Sequence, residues 1–123
     1  MNKYRNKKTV VDGITFDSRK EAKRYGELKI LQIGKVISGL ELQKPFELIP
    51  AQYEEVETVT PKKHIKKTKK RLIERPVNYI ADFCYYDDNG NYVVEDTKGK
   101  KTKEYIIKRK LMLYVHGIKI KEV

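Results

Sequence analysis

The sequence predicts an α/β domain in which a mixed central sheet is flanked by helices and interrupted by a basic insertion between strands. Three observations predict it. Two segments repeat apolar residues at helical spacing, several others are short and rich in β-formers, and a lysine-dense stretch separates two of the latter. The resulting order is hairpin, helix, strand, insertion, strand, strand, helix, strand. A chain of 123 residues allows one domain with one modest core.

Each element has a local cause. Asp12-Gly13 sits between Val10-Val11 and Ile14-Thr15-Phe16, a two-residue turn flanked by β-formers, and predicts a short hairpin. Ser18 is a good N-cap with Glu21 three residues on. Ala22, Tyr25, Leu28 and Leu31 then recur at helical spacing as far as Gly34, so a first helix is expected from about Ser18 to Ile33. LQKPFELIPAQYEEV alternates but carries Pro45 and Pro50, which suits one strand that bulges or lies near an edge. From Pro61 to Arg75 eight Lys and Arg oppose only Glu74, and this insertion is expected to be a mobile loop or extended arm. VNYIADFCYY and NYVVEDTKG flank DDNG and read as a hairpin near the centre of the sheet. A second helix is expected from Lys101 to His116, ended near Gly117, and IKIKEV alternates as a last strand.

The two central strands carry Asp82, Glu95, Asp96 and Lys98, charges that are costly there unless paired or metal-bound. Turn chemistry bears on which of them meet. A three-residue Asp88-Asn89-Gly90 loop, with Gly90 left-handed, places Asp82 opposite Asp96 with Lys98 on the same face. A two-residue Asn89-Gly90 turn would instead put Thr97 opposite Asp82 and bring Glu95 to that face. Opposed Cβ atoms lie roughly 4.5–5.5 Å apart, where two carboxylates repel unless a cation sits between them. Two acidic donors beside a lysine therefore point to a Mg²⁺ site, with Mn²⁺ as a substitute. Structural roles compete at each position: Glu21 serves equally as the capping acid, Lys98 as the first of a solvated basic run, and Tyr79 and Tyr105 as core. Gln43 stands where it could touch the site. Cys84 is the only cysteine, which leaves no internal disulfide.

A helix acid (Glu21), a strand aspartate (Asp82) and the Asp96-Thr97-Lys98 triplet after a short hairpin resemble the PD-(D/E)XK nuclease superfamily. The segments FDSRKEAKRYGEL, YIADFCYY, VVEDTKG and VHGIKI are similar to small phage and prophage Holliday junction resolvase-like endonucleases. Ala81, rather than Pro, precedes Asp82. The resemblance implies a restriction-endonuclease-like fold. It also implies catalytic roles for Glu21, Asp82, Asp96 and Lys98. Metal would be held by Asp82, Asp96 and the backbone carbonyl of Thr97, with Glu95 a rival to Asp96. It implies a DNA endonuclease acting on branched or recombination DNA, and a homodimer, since resolving a four-way junction takes two nicks.

The formal net charge of +11, from 28 Lys and Arg against 17 Asp and Glu, independently suggests a polyanionic partner. The residues expected to track phosphates are Lys62, Lys63, Lys66, Lys67, Lys69, Lys70 and Arg71 in the insertion, and Lys100, Lys101 and Lys103 beyond the site. Two other classes compete with the nuclease: a non-catalytic nucleic-acid-binding protein on the same fold, and a small RNA-binding protein of ribosomal type, which would explain the charge but not the buried acids. No apolar run reaches the ~18 residues of a membrane span, and no apolar stretch follows the basic N-terminus as in a secretory signal. A cytoplasmic protein is expected, in the bacterial host if phage-encoded.

Overall fold

A computed structural model describes residues 8–61 and 64–123. Strands β1 (Thr9–Val11) and β2 (Ile14–Phe16) form the expected hairpin, with Asp12 and Gly13 both left-handed at φ 52° and 75°. That pairing of angles is the one a two-residue turn needs to match strand twist. Helix α1 (Arg19–Ile33) follows, with the Ser18 hydroxyl accepting the Glu21 N–H at 3.1 Å. It closes at Gly34, whose N–H bonds the Ile30 carbonyl, and the left-handed residue there is Lys35 rather than the glycine.

The expected single strand after Leu40 is two strands, β3 (Ser38–Ile49) and β4 (Gln52–Val59), separated at Pro50-Ala51. Pro50 cannot donate to a ladder, so the chain leaves the sheet there. Of the two forms expected for the basic insertion, a loop or an extended arm, residues from Lys66 on take the second: β5 (Lys66–Glu74) pairs antiparallel with β4 as a separate two-stranded ribbon. Next come β6 (Val77–Tyr86), β7 (Tyr92–Asp96), α2 (Lys103–His116) and β8 (Lys121–Glu122). The last is shorter than the alternation of IKIKEV suggests.

The main sheet has the order β3-β6-β7-β8, with β7 and β8 parallel and the other neighbours antiparallel. The β6–β7 register is the one set by the three-residue loop. Phe83 faces Glu95 and Tyr86 faces Tyr92, Gly90 has φ 80°, and the Asp87 N–H bonds the Asn91 carbonyl at 2.9 Å. An L side chain at Gly90 would strain that left-handed position, so one glycine selects which acids share a face. Neighbours on β6 and β7 alternate between two cores. Phe83 and Val93 join Ala22, Tyr25 and Leu28 of α1, while Cys84 and Val94 join Tyr105 and Met112 of α2. The helices thus cover opposite faces of the sheet.

Candidate functional site

The alternation on β6 breaks at one residue. Tyr79 and Ala81 belong to the α2 core, whereas Phe83 and Tyr85, of the same parity, belong to the α1 core. The pleat therefore changes sides at Asp82. Across the ladder the place opposite Asp82 falls to Gln43, between the pairs Leu42–Phe83 and Lys44–Ala81, and Gln43 is left-handed at φ 51°. A non-glycine residue in that conformation is uncommon, and such irregularities concentrate at functional sites. Here the irregularity aims two polar side chains at the N-terminal turn of α1.

Gln43 Nε2 donates to Glu21 Oε1 at 2.9 Å. Glu21 is 6% exposed and occupies the first turn of α1. With Asp17, Ser18, Lys20, Asp82, Thr97, Lys98, Gly99 and Lys100 it lines an open cleft of about 400 Å³. Burial, then the charges of Asp82 and Asp17, push the Glu21 carboxyl up to about 7, and Asp96 adds to the push against a backbone N–H at Asp17. Burial and the neighbouring carboxylates thus keep a proton on this acid near neutrality.

Asp96 is 1% exposed. Its Oδ2 accepts the Tyr79 hydroxyl at 2.6 Å and its Oδ1 accepts the Lys98 N–H at 2.9 Å. Burial raises its pKa and Asp82 raises it further, against the Tyr79 and Lys98 N–H hydrogen bonds and the Lys98 charge. Asp82 Oδ2 accepts both the N–H and the hydroxyl of Thr97, each at 2.8 Å. The paired ladder ends at Phe83–Glu95, so Asp82 leans past its opposite number onto Thr97. Lys98 is exposed, lines the cleft, and holds its ammonium 5.4 Å from the centroid of the Tyr105 ring. That ring face attracts a cation and fixes its position.

Glu95 lies elsewhere. Fully buried on the α1 side, it accepts Nε and Nη2 of Arg24, both at 2.7 Å, and the Tyr85 hydroxyl. Burial alone would raise its pKa, but the Arg24 fork and the Tyr85 hydroxyl outweigh that and hold it below the usual carboxylate value. The rival to Asp96 is therefore a structural acid.

Of the residues expected at the site, the fold brings Glu21, Asp82, Asp96, Thr97 and Lys98 together. Thr97 contributes its N–H and hydroxyl as donors to Asp82. Among the described residues no group of three or more His, Cys, Asp and Glu is arranged to hold a metal ion. The donors are nonetheless all hard oxygens, and Mg²⁺ commonly takes only one or two carboxylates with water and phosphate completing its shell. The donor set suits such an ion.

Tyr79, expected in the core, is buried there and also bonds a site acid. Lys20 and Asp17 line the cleft and were not among the expected residues; their closeness to Glu21 at the start of the helix was the available sign. Lys66, Lys67, Lys69, Lys70 and Arg71 lie on the exposed strand β5, apart from the cleft. The local excess of charge expected there is partly met by Glu54, Glu55 and Glu57 of β4. Lys100 lines the cleft and Lys101 pairs with Glu122 at 3.4 Å, while Lys103 begins α2. Lys62 and Lys63 lie outside the described residues. No helix among the described residues is long and apolar enough to cross a membrane.

Residues 1–121 match the family model DUF1064, described as a protein of unknown function, and the chain belongs to that family. Neither the curated proteins nor the solved structures give a match.

Proposed function

We propose that this chain is a divalent-metal-dependent DNA endonuclease with a restriction-endonuclease-like core, acting on branched or recombination-intermediate DNA. The observation that carries the reading is the meeting of Glu21 on α1, Asp82 in mid-β6, Asp96 at the end of β7 and Lys98 just beyond it. There the acids repel one another and Glu21 retains a proton. Glu95, by contrast, is held by the Arg24 guanidinium and its pKa is lowered. Repelling acids with raised pKa values beside a cleft are suited to taking a divalent cation.

Asp82 and Asp96 would hold Mg²⁺ or Mn²⁺, with the Thr97 backbone beside them. The ion, when bound, supplies Lewis-acid stabilisation of charge on the scissile phosphate and lowers the pKa of water. The protein groups do the rest. Glu21, oriented by Gln43, would bind the ion through water or orient the attacking water. Lys98, steadied over Tyr105, offsets charge on the phosphate. The branched substrate rests on the sequence resemblance, and it entails a homodimer presenting two sites to a junction.

A second reading, a nucleic-acid-binding protein without catalysis, is favoured by one feature: both Asp96 oxygens already accept hydrogen bonds. One assay separates the two. Purified protein is incubated with four-way junction, flap, duplex and single-stranded DNA in Mg²⁺, Mn²⁺ or EDTA, beside Asp82→Asn. Cleavage that needs metal and Asp82 supports the nuclease. Binding without cleavage in every metal condition supports the second reading. Mass measurement with and without junction DNA tests the dimer, and a strict monomer on the junction would indicate a nicking or flap enzyme instead.

A further inference from the structure

The β4–β5 ribbon has two faces of different charge. Strand pairing opposes Val56 to Lys69 and Thr58 to Lys67, so side chains of alternating parity divide the basic residues into two sets. Lys66 and Lys70 share one face with Glu55 and Glu57, and the charges there cancel. Lys67 and Lys69 share the other with Arg71, and its one acid is Glu54, which pairs with Arg71 at the base of the ribbon. Toward the tip this second face carries lysines opposed only by uncharged residues.

We propose that the Lys67–Lys69–Arg71 face grips the phosphate backbone of duplex DNA, while the Lys66–Lys70 face contributes no phosphate contact. The inference deepens the proposed nuclease function by assigning its substrate grip to one side of one element. Three points support it. Every residue of β5 is exposed and the ribbon forms its own sheet, so the strand has no core to serve. Its eight-residue strand β4, at ~3.3 Å per residue, carries the tip roughly 25 Å from the base. A two-stranded ribbon is also one of the shapes the major groove admits, with cations repeating every ~6.6 Å along its edge to follow a phosphate strand. The exposed Arg71–Glu54 pair is weak enough to yield to a phosphate.

The test removes equal charge from each face. K67A/K69A and K66A/K70A are compared with the parent chain for duplex binding by fluorescence anisotropy across a KCl series. K67A/K69A should lower the slope of log affinity against log salt by about 2 units, at roughly 0.9 per lost contact, and K66A/K70A should leave it unchanged. Equal losses in both, or loss confined to K66A/K70A, would overturn the assignment. So would loss of binding to anionic phospholipid vesicles with DNA affinity intact, which would give the face to a membrane. If circular dichroism shows either alanine pair disturbing the ribbon, K67Q/K69Q and K66Q/K70Q make the same comparison with longer side chains.

Metal-dependent cleavage at low salt is followed on the same preparations. A one-sided slope without cleavage leaves the grip standing and removes the nuclease. Cleavage without a one-sided slope does the reverse.

Discussion

Glu95 and Asp96 are adjacent on β7, both buried, and treated in opposite ways. On the α1 face Glu95 meets a bidentate guanidinium and a phenol, and its pKa falls. On the other face burial and a second aspartate outweigh a phenol, the Lys98 N–H and the Lys98 charge, and the Asp96 pKa rises. The two carboxylates have the same chemistry and nearly the same burial. What differs is the guanidinium of Arg24, which bonds both oxygens of Glu95 directly and makes that acid part of the scaffold.

The largest effect that would break this contrast is on cleavage. If the proposed nuclease reading holds, Asp82→Asn and Asp96→Asn should each lower metal-dependent cleavage by at least about 100-fold, since each removes a carboxylate that would hold the metal ion. Gel assays with a folded-state check by circular dichroism measure it. Full activity in either variant would sink the site as described. Glu95→Gln is the other half of the comparison. It should cost about 1 to 2 kcal/mol in urea unfolding, because Arg24 loses one charged partner while keeping Glu27, and leave cleavage per folded molecule unchanged. A stable but inactive Glu95→Gln would reverse the roles of the two neighbours.

Glu21 sharpens the contrast through pH. Its native pKa of about 7 lies above the ordinary 4.5, so the folded chain holds a proton that the unfolded chain releases between those values. The stabilisation from that proton is complete below about 4.5 and lost as pH rises through about 7. Glu21→Gln can keep the Gln43 contact and removes the penalty. In EDTA it should therefore be more stable than the parent by about 2 kcal/mol at pH 8, and no more stable at pH 4. A constant difference across that range would mean that Glu21 carries no unmet charge.

Much of this arrangement is legible in the sequence where a single residue's local chemistry decides it. Asp12-Gly13 fixes the first turn, Ser18 the start of α1, and Gly90 the β6–β7 register that separates Glu95 from Asp96. The ribbon is not legible in that way. Both its faces meet solvent, so no period-2 pattern of burial marks β5, and its pairing with β4 spans the segment from Val59 to Lys66. The side-switch at Asp82 is equally hidden, because regular alternation would put Tyr79 and Phe83 on one face. Only the left-handed Gln43 across the ladder betrays it, and no propensity places a glutamine there.

That switch is what lets Tyr79 reach Asp96, and Tyr79→Phe tests the smallest predicted effect. The hydroxyl donates to Oδ2 at 2.6 Å and favours the ionised carboxylate, partly offsetting the upward push from burial and Asp82. Its loss should cost about 1 to 2 kcal/mol while Asp96 is charged. It should also raise the Asp96 pKa further. The cost should shrink as pH falls through that elevated titration, since a protonated Asp96 needs the donor less. Chemical denaturation at pH 8 and pH 4 reads the difference. An equal cost at both would mean that the phenol acts only by filling space in the α2 core, and that Asp96 bears its charge, or is relieved of it, without help from β6.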